Sequence, residues 1–560
     1  MHRSNYILPT VIVACSAPCI LLGQAKPTPD TRRDLTPQRQ TTEQRPQTEL
    51  PKIDLPEFVI TGWEIIDLPR AEKLPAAETV TGDMPVRTGA PMRENAQILP
   101  TASMVRGPEL VHSSLSGRIS AGIGSFTTPS VAVALSAPLE NARTVVDASY
   151  ARSHGFTPNA RWSEGKIGAS VGSPVDLTGI GMSGSAASAS VAYGVRDFRW
   201  YGSTSPSNAR SIADGSVSVM AGGSIGGGWT GSTEVGYRGT GVTDSTTTVR
   251  EGIFSIGMRG DGTLEGIPVF TRLRSHTAGR SGAADNTYGL TTFGGGAQWV
   301  PFEAFALTAA VDGYFGSGSA GGSLVRVFPT LRVSYALDPR QTLIGAYEPG
   351  VVPTTLGSML ENMRYVDAGS EIRHAVNWNS GRIGLESEWT DDIRTRFELE
   401  GTTTDDLPHT VDTTGSGVFQ AAYGGTSRIV GIKADFVAHF GLNDYFSAAF
   451  MMRSSENSAS GRPVPYVPEA EMRFSYTTSP IEKLTFRSSL QFVHTRETSL
   501  TGSSARLSGY TRIDVRGAYS VTSSIALWAA AANLTNAIYQ HWAGYQEPPF
   551  QLSLGAAATW

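Results

Sequence analysis

The chain has 560 residues and a formal net charge of -5, so its length predicts either several domains or one large barrel. Charged residues make up 17%, well below the quarter or so that is usual in soluble domains, while glycine reaches 62 residues. This balance favours many short strands joined by tight turns over helices. The near-neutral charge, without a basic patch interleaved with aromatic residues, gives no reason to expect nucleic-acid binding.

Residues 1–25 have the pattern of an export signal. A basic residue near the start is followed by an apolar run from Ile7 to Leu22 and by small residues that suit cleavage. A lipoprotein cleavage box at residues 12–15 is the alternative, but the apolar run continues past it. Both cysteines, Cys15 and Cys19, fall inside this segment. The mature chain is therefore expected to have no disulfide, no cysteine nucleophile and no cysteine-ligated metal.

A polar stretch and then a short apolar patch follow the export signal. Residues 26–50 are rich in proline, threonine, glutamine and charge, so they cannot bury enough apolar surface to offset chain entropy, and we predict disorder. A β-prone patch comes next, which is able to add as an edge strand to a periplasmic partner or to serve as the first strand of a small domain. The patch is Leu55, Pro56, Glu57, Phe58, Val59, Ile60, Thr61 and Gly62.

From residue 111 to the end, the sequence alternates with a period of two, as strands do. In residues 393–400 every even position is charged and every odd one is apolar or Thr, and residues 385–389 alternate likewise. A charge that faces the bilayer midplane costs about 2–4 kcal/mol for Arg or Lys and less for Glu. We therefore predict that six side chains face a wet lumen, where opposite charges on neighbouring strands can pair. They are Glu386, Glu388, Arg394, Arg396, Glu398 and Glu400.

The alternation also suits a soluble protein of two stacked sheets. Against this alternative, the apolar face carries Ala, Thr and Gly as often as large hydrophobes, which packs poorly as a core but is tolerated against lipid. No later run reaches the roughly 18 apolar residues of a spanning helix, so a membrane location requires a closed barrel. At roughly 20 residues per strand and connection, residues 111–560 predict an all-β transmembrane antiparallel barrel of about 22 strands, with 16 to 22 possible.

Aromatic residues and polar stretches mark the predicted strand ends. Polar stretches at residues 202–214, 400–414 and 454–465 are predicted outer loops. Aromatic girdles at the two membrane interfaces would explain the aromatic placement, with scattered core aromatics as the alternative. These aromatics are Trp162, Trp200, Tyr201, Trp299, Trp389, Trp528, Tyr539, Trp542 and Tyr545.

The end of the chain carries three motifs in a fixed order. Tyr510 and Asp514 form a Tyr-x-x-x-Asp motif, residues 533–539 form an Asn-Leu-Thr-Asn-x-x-Tyr turn, and the chain stops on the aromatic Trp560. In the last strand, Phe550 and every second residue after it make an apolar face, and the residues between them make a small polar face. This ending resembles the C-terminus of TonB-dependent outer-membrane receptors.

The last strand also resembles the signal that the barrel-assembly machinery of the outer membrane binds. That signal has a polar residue, a glycine, a hydrophobic residue and a terminal aromatic, which match Ser553, Gly555, Ala558 and Trp560. Ala558 is a weak hydrophobe, and Trp takes the place of the usual Phe. A soluble β-domain that ends on an edge strand is the alternative for these residues alone.

The resemblance extends to the mature N-terminus. Residues 55–62 are similar to the energy-coupling box of the family, which implies a TonB-like partner in the periplasm. The family places a large folded plug between box and barrel, but here only about fifty residues lie between Gly62 and Val111. We therefore expect residues 51–110 to hold a box-like segment and a vestigial plug, ahead of a barrel at residues 111–560.

The resemblance implies an outer-membrane barrel that binds or passes a small solute or glycan. Its implied partners are outer-membrane lipid, a TonB-like protein and the barrel-assembly machinery, with no nucleic acid. Two alternatives stay open. One is a passive pore or structural barrel without energy coupling, and the other is a secreted soluble β-protein that binds glycan or surface partners.

Motifs for catalysis and for metal or cofactor binding are missing from the sequence. The histidines are widely spaced with no His-Glu-x-x-His, and no Gly-x-Ser-x-Gly elbow sits at a strand-to-helix turn. Residues 222–228 are glycine-rich like a phosphate loop but lack its Lys-Ser/Thr, so we predict glycines in a strand or hairpin. We expect no enzyme activity, cofactor or metal, with a catalytic pair of distant lumen residues left as the alternative.

Overall fold

The computed structural model describes residues 115–560, apart from residues 140, 246, 284, 441–443 and 501–505. The predicted export signal, the predicted disordered stretch and the box-like segment with its vestigial plug all lie outside the described residues. The barrel predicted for residues 111–560 lies almost wholly within them.

The described chain is built almost entirely of antiparallel strands. In chain order, the elements of the first part are β1 (Ser116–Gly124), β2 (Thr128–Leu139), β3 (Ala142–Ser153), β4 (Trp162–Leu177), the 3-10 turn η1 (Thr178–Ile180), β5 (Met182–Arg199), β6 (Ala209–Gly226), β7 (Trp229–Asp244), β8 (Thr248–Leu264), β9 (Ile267–Gly282), β10 (Asn286–Phe302), β11 (Phe305–Gly318), β12 (Gly321–Asp338), β13 (Gln341–Tyr347), β14 (Gly350–Val352), α1 (Leu356–Asn362) and β15 (Ala375–Thr390). The second part holds β16 (Ile393–Asp405), β17 (His409–Val411), β18 (Gln420–Ala422), β19 (Thr426–His439), β20 (Tyr445–Asn457), β21 (Ala470–Ile481), β22 (Leu484–Val493), β23 (Arg496–Glu497), β24 (Arg506–Leu507), β25 (Tyr510–Ser520), β26 (Ile525–Ala532), β27 (Gln540–Trp542), β28 (Tyr545–Gln546) and β29 (Gln551–Thr559).

These strands close into one ring of 22. Each long strand pairs antiparallel with the next one along the chain, and β14 continues β13 along β15. The six short strands β17, β18, β23, β24, β27 and β28 pair among themselves in the connections. The first strand, β1, pairs with β2 on one side and with β29 on the other, from Arg118 opposite Thr559 to Gly124 opposite Ser553. The prediction of a 22-stranded transmembrane barrel is confirmed, and two stacked sheets are excluded.

The two ends of the barrel differ in their connections. At the end where β1 begins, which we call the turn end, the strands are joined by short turns, whereas the opposite loop end carries long connections such as residues 353–374, 406–425 and 533–550. In outer-membrane barrels, short turns face the periplasm and long loops face outwards. The predicted outer loops lie at the loop end, but their margins at residues 209–214, 400–405 and 454–457 belong to strands.

The outer face of the barrel is apolar. Val325 and Val327 of β12 are 55% and 62% exposed, and Phe397 and Leu399 of β16 are also exposed. Their strand neighbours point to the opposite face because side chains alternate along a strand. Since a large apolar area left open to water is unfavourable, this face is one that contacts lipid. The sandwich alternative is wrong because these hydrophobes have no second sheet to pack against.

None of the described residues forms a helix long and apolar enough to cross a membrane. The glycine-rich residues 222–228 form the end of β6 and the turn into β7, as predicted.

The seam between the first and last strands is shaped around one tryptophan. Trp528 of β26 lies across Gly122 and Gly555, and a Cβ atom at either glycine would collide with its ring. Its indole N–H donates to Ser120 Oγ at 3.2 Å. The glycine of the predicted assembly signal therefore has a packing role in the folded barrel: it leaves room for this ring.

Trp560 ends the seam with two backbone hydrogen bonds, from Gly117 N to Trp560 O at 2.9 Å and from Trp560 N to Gly117 O at 3.1 Å. We predict that deletion of Trp560 lowers the amount of heat-modifiable barrel in membranes, because both bonds and the terminal aromatic are lost. Each bond contributes about 0.5–1.5 kcal/mol. Trp560→Ala keeps the backbone bonds and separates the role of the ring. Trp389→Ala, which removes an exposed aromatic at the turn end, is the control. Normal levels after the deletion would contradict the predicted assembly signal.

Candidate functional site

The connection between β14 and β15, residues 353–374, leaves the barrel sheet and packs against the inner wall at β6, β8 and β9. Its helix α1 buries Leu356, Met359 and Leu360, and Thr355 caps it by accepting from Ser358 N. Glu251 of β8 accepts from Leu356 N at 2.8 Å, from Gly357 N and from the Tyr288 hydroxyl. The first N–H groups of a helix lack partners within the helix and carry partial positive charge. One wall carboxylate therefore fixes the start of the helix.

Three wall arginines hold the rest of this connection. Arg210 donates to the carbonyls of Arg364 at 3.0 Å and Val366 at 2.6 Å, and it is itself paired with Asp244. Arg280 donates to the carbonyls of residues 368 and 370, and Arg238 bridges residues 214 and 361. Buried carbonyls without a partner are costly, so Arg210 and Arg280 satisfy backbone groups that the strand ladder does not, while Arg238 holds the connection through the Glu361 carboxylate.

Aromatic side chains join this connection to four other loops at the same end. Tyr365 stacks on Tyr545 with ring centroids 3.6 Å apart, Tyr201 packs edge-on against Tyr545, and Tyr466 packs on Trp542 at 4.6 Å. The backbones also pair, since residue 419 donates to the carbonyl of residue 365 and residue 367 donates back to that of residue 419. We call residues 353–374 and these four loops, at residues 200–208, 406–425, 458–469 and 533–550, the loop cap.

The predicted aromatic girdles are only partly correct, because several of these aromatic residues lie inside the loop cap. Trp299 and Trp389 are exposed near the turn end, where a girdle would place them. Trp200, Trp542 and Tyr545 are instead only 5%, 6% and 1% exposed, inside the cap. An aromatic residue past the end of a strand can turn outwards to lipid or inwards over the lumen, and the sequence alone does not distinguish these directions.

A cavity of about 180 Å³ lies between the loop cap and the inner wall from β13 to β19. Its cap side is mainly apolar, with Met359, Tyr466 and Trp542 among its residues, whereas its wall side is polar and charged. The charged lining residues are Glu348, Arg382, Glu400 and Lys433. A ligand that fits this cavity would meet an apolar roof and a charged floor.

The six charged residues predicted from the alternation form one ion-pair ladder on β15 and β16. Glu388 pairs with Arg394 at 3.0 Å, and Arg396 pairs with Glu386 at 3.5 Å and with Glu398 at 2.5 Å. Glu400 pairs instead with Lys433 of β19 at 2.9 Å.

Of these six residues, only Glu400 lines the cavity, and the others continue from it towards the turn end. Sequence reasoning missed Arg382 and Glu348. Arg382 continues the alternation of β15, in step with Glu386 and Glu388, so the signal was present.

Two histidines of the loop cap, the buried His409 and the half-buried His541, are held in the neutral form. Burial lowers the pKa of His409 to about 4, and its Nε2 lies 3.1 Å from Ser427 Oγ and 3.2 Å from the Asn457 amide nitrogen, which donates to it. Burial and nearby arginines lower the pKa of His541 to about 3. Because protonation would place an unpaired charge in the cap, low pH favours its opening.

The barrel matches solved structures of outer-membrane receptors and transporters. One is the copper transporter OprC, with 14% identity, 80% of each chain covered and a TM-score of 0.63. A second is the FrpB iron transporter from Neisseria meningitidis, with 9% identity, 82% of this chain and 83% of that chain covered and a TM-score of 0.65. A third is the siderophore receptor PiuA from Acinetobacter baumannii, with 10% identity, 80% and 82% coverage and a TM-score of 0.62. The fold is that of TonB-dependent receptor barrels, which confirms the resemblance.

No protein-family model matches the sequence, and no curated protein matches it.

We predict that Glu251→Ala loosens the loop cap, because it removes the acceptor at the start of α1. Trypsin should then cleave after Arg364 and Arg373 at least tenfold faster than in the wild-type protein, as measured by mass spectrometry of the fragments. Glu234→Ala on the same wall is the control, since no ion pair or hydrogen bond from its carboxylate to the cap is found among the described residues. Equal cleavage rates for wild type and Glu251→Ala would contradict this role.

Because His409 is neutral in the folded protein, we predict that the stability of the loop cap depends on pH. The pKa of His409 is about 4 in the folded protein and near 6.5 in the unfolded chain. Its contribution to the free energy of unfolding is therefore complete above about pH 6.5 and is lost as the pH falls towards 4. The full shift corresponds to roughly 3 kcal/mol. The temperature at which the folded gel band disappears should therefore drop between pH 7 and pH 4, and less so in His409→Gln. An equal drop in both proteins would contradict the assignment to His409.

Proposed function

We propose that this protein is an outer-membrane receptor that binds a solute beneath the loop cap and passes it through the barrel. One observation carries the proposal. A closed 22-stranded barrel with an apolar outer face holds a charged cavity under a folded cap, in the fold of copper, iron and siderophore transporters. Such a barrel belongs in the outer membrane of a Gram-negative cell.

The proposed solute path begins in the cavity and follows the ion-pair ladder. Glu400 lies at the cavity, and Glu398, Glu386 and Glu388 follow with Arg396 and Arg394 towards the turn end. Paired charges on a lumen wall keep the path wet and offer both signs of charge to a polar solute. Selectivity then comes from the cap and the cavity, and the ion-pair ladder lines the path along which the solute passes.

The similar structures are named as transporters and receptors, and we propose a role without catalysis for this chain as well. Its proposed partners are outer-membrane lipid on the apolar face and the barrel-assembly machinery at Ser553, Gly555, Ala558 and Trp560. A TonB-like protein would bind residues 55–62, because a segment of β-prone sequence can add to the edge of a partner sheet.

A passive pore is the second candidate, and the loop cap favours it. The cap is anchored to the wall by residues of the barrel itself, such as Glu251 and Arg210, so the described residues are enough to narrow the loop end. A pore that is narrowed by the loop cap of its own chain needs no energised partner protein to keep it narrow. Measurement of single-channel conductance across planar bilayers separates the two candidates, because a passive pore conducts without an energy source.

We predict that Val59→Pro abolishes energised uptake, because proline removes the backbone donor that strand addition requires. The solute would first be identified by growth of a deletion strain on limiting iron, cobalamin or glycans. Uptake would then be compared in strains that carry each variant. Val59→Ala, which keeps the N–H group, is the matched control and should retain most of the uptake. Uptake that is unaffected by Val59→Pro would contradict energy coupling and favour the passive pore.

A further inference from the structure

One row of residues crosses six strands and contributes Ala346, Arg382 and Glu400 to the floor of the cavity. Partners opposite each other in a ladder point to the same side of a sheet, and Glu400 lines the cavity, so the row faces the lumen. Small residues flank the central pair of charged ones along it, which leaves open space on both sides of that pair. The row runs Arg332, Ala346, Arg382, Glu400, Gly431, Arg453.

Arg382 is the most loosely paired cation of the cavity lining, whose charged residues are two acids and two bases. Glu348 is held closely by Arg332, while Arg382 reaches it only at 3.7 Å and has no hydrogen-bond acceptor among the described residues. Lys433 neutralises Glu400. Glu348 is therefore shared by two arginines, of which only Arg382 lines the cavity, and the Arg382 guanidinium has donors to offer a ligand.

A second cation lies along the same row. The Nε of Arg453 is buried without a partner, and its side chain lies across Gly431 from Glu400. The nearby Glu471 accepts from Arg473 and Gln491. Arg453 therefore adds to the positive potential under the cavity without lining it.

The cavity is small, and its roof is mainly apolar. Its volume of about 180 Å³ compares with the cavity of about 150 Å³ that holds one benzene molecule. The space therefore suits a body little larger than a single ring. The apolar side chains of the roof are Val352, Met359, Leu407, Val464, Tyr466 and Trp542.

We propose that this cavity binds a small organic anion, a ring-sized apolar body with one carboxylate, whose oxygens lie on the Arg382 guanidinium. The proposal rests on the proposed function and deepens it by naming the class of solute. The planar fork of arginine matches both oxygens of a carboxylate. A carboxylate would supply the acceptors that the Arg382 guanidinium lacks, and Arg332 and Arg453 add positive potential beside the cavity. The apolar body lies against Tyr466 and Trp542.

The first test uses benzoate as the probe on the purified full-length protein in detergent, by isothermal titration calorimetry. Benzoate should bind at least tenfold more tightly than benzamide, which has the same ring without the charge. Benzylamine and inorganic phosphate should show no binding in the same range. Benzamide binding equal to benzoate would overturn the role of charge, and phosphate binding equal to benzoate would overturn the role of the apolar roof.

The second test assigns the anchor. Arg382→Gln should weaken benzoate binding at least tenfold, while Arg259→Gln, which removes an arginine paired with Asp261 on another part of the wall, should leave it unchanged. Heat modifiability on gels checks that each variant folds. If Arg382→Gln does not fold, Arg382→Lys replaces it and should bind benzoate with reduced affinity, because a single ammonium lacks the fork. Unchanged affinity in the folded variant would overturn the proposal.

Failure of the site and failure of transport give different results. Benzoate flux into proteoliposomes and benzoate binding are measured on the same preparation. Binding without flux supports the site and contradicts passage through the barrel. Flux of small solutes without benzoate binding supports passage and overturns the site.

Discussion

The whole structure depends on the closure of the backbone ladder. In hydrocarbon no water can satisfy an open N–H or C=O group, so a spanning sheet must have no free edge. The pairing of β1 with β29 removes that edge, and Trp528 packs across two glycines where the strands meet. Once the ring is closed, the side-chain alternation of each strand assigns one face to lipid and the other to the lumen. The lumen charges and the cap both follow from this assignment.

The loop cap faces the same constraint and satisfies it with side chains. Residues 353–374 leave the ladder, so their carbonyl and N–H groups need other partners. Arg210, Arg280 and Glu251 supply them from the wall, and each of these wall residues is buried. Charged residues on the lumen face therefore do two kinds of work. Some of them hold backbone in place, and Arg382 at the cavity has no hydrogen-bond acceptor among the described residues.

The barrel was predictable from the sequence, but the cap was not. Alternation with a period of two is a local signal, and the motifs at residues 510–560 fix the seam. The anchors of the cap are contacts at long sequence separation, such as Arg210 with the carbonyl of Val366, which lie 156 residues apart. Such contacts depend on the register of many strands. The charged positions at residues 386–400 were found because their alternation is unbroken, whereas Gly384 interrupts the charged face before Arg382, which was assigned no role.

The anchoring of α1 has a mechanical consequence. The connection is tied covalently to β14 and β15 at both of its ends and is held at its middle by β6, β8 and β9. It therefore cross-links two arcs of the barrel wall and fixes the distance between them. Any event that releases this cross-link also allows the cross-section of the barrel to become oval. Opening of the loop end and deformation of the barrel wall are thus coupled.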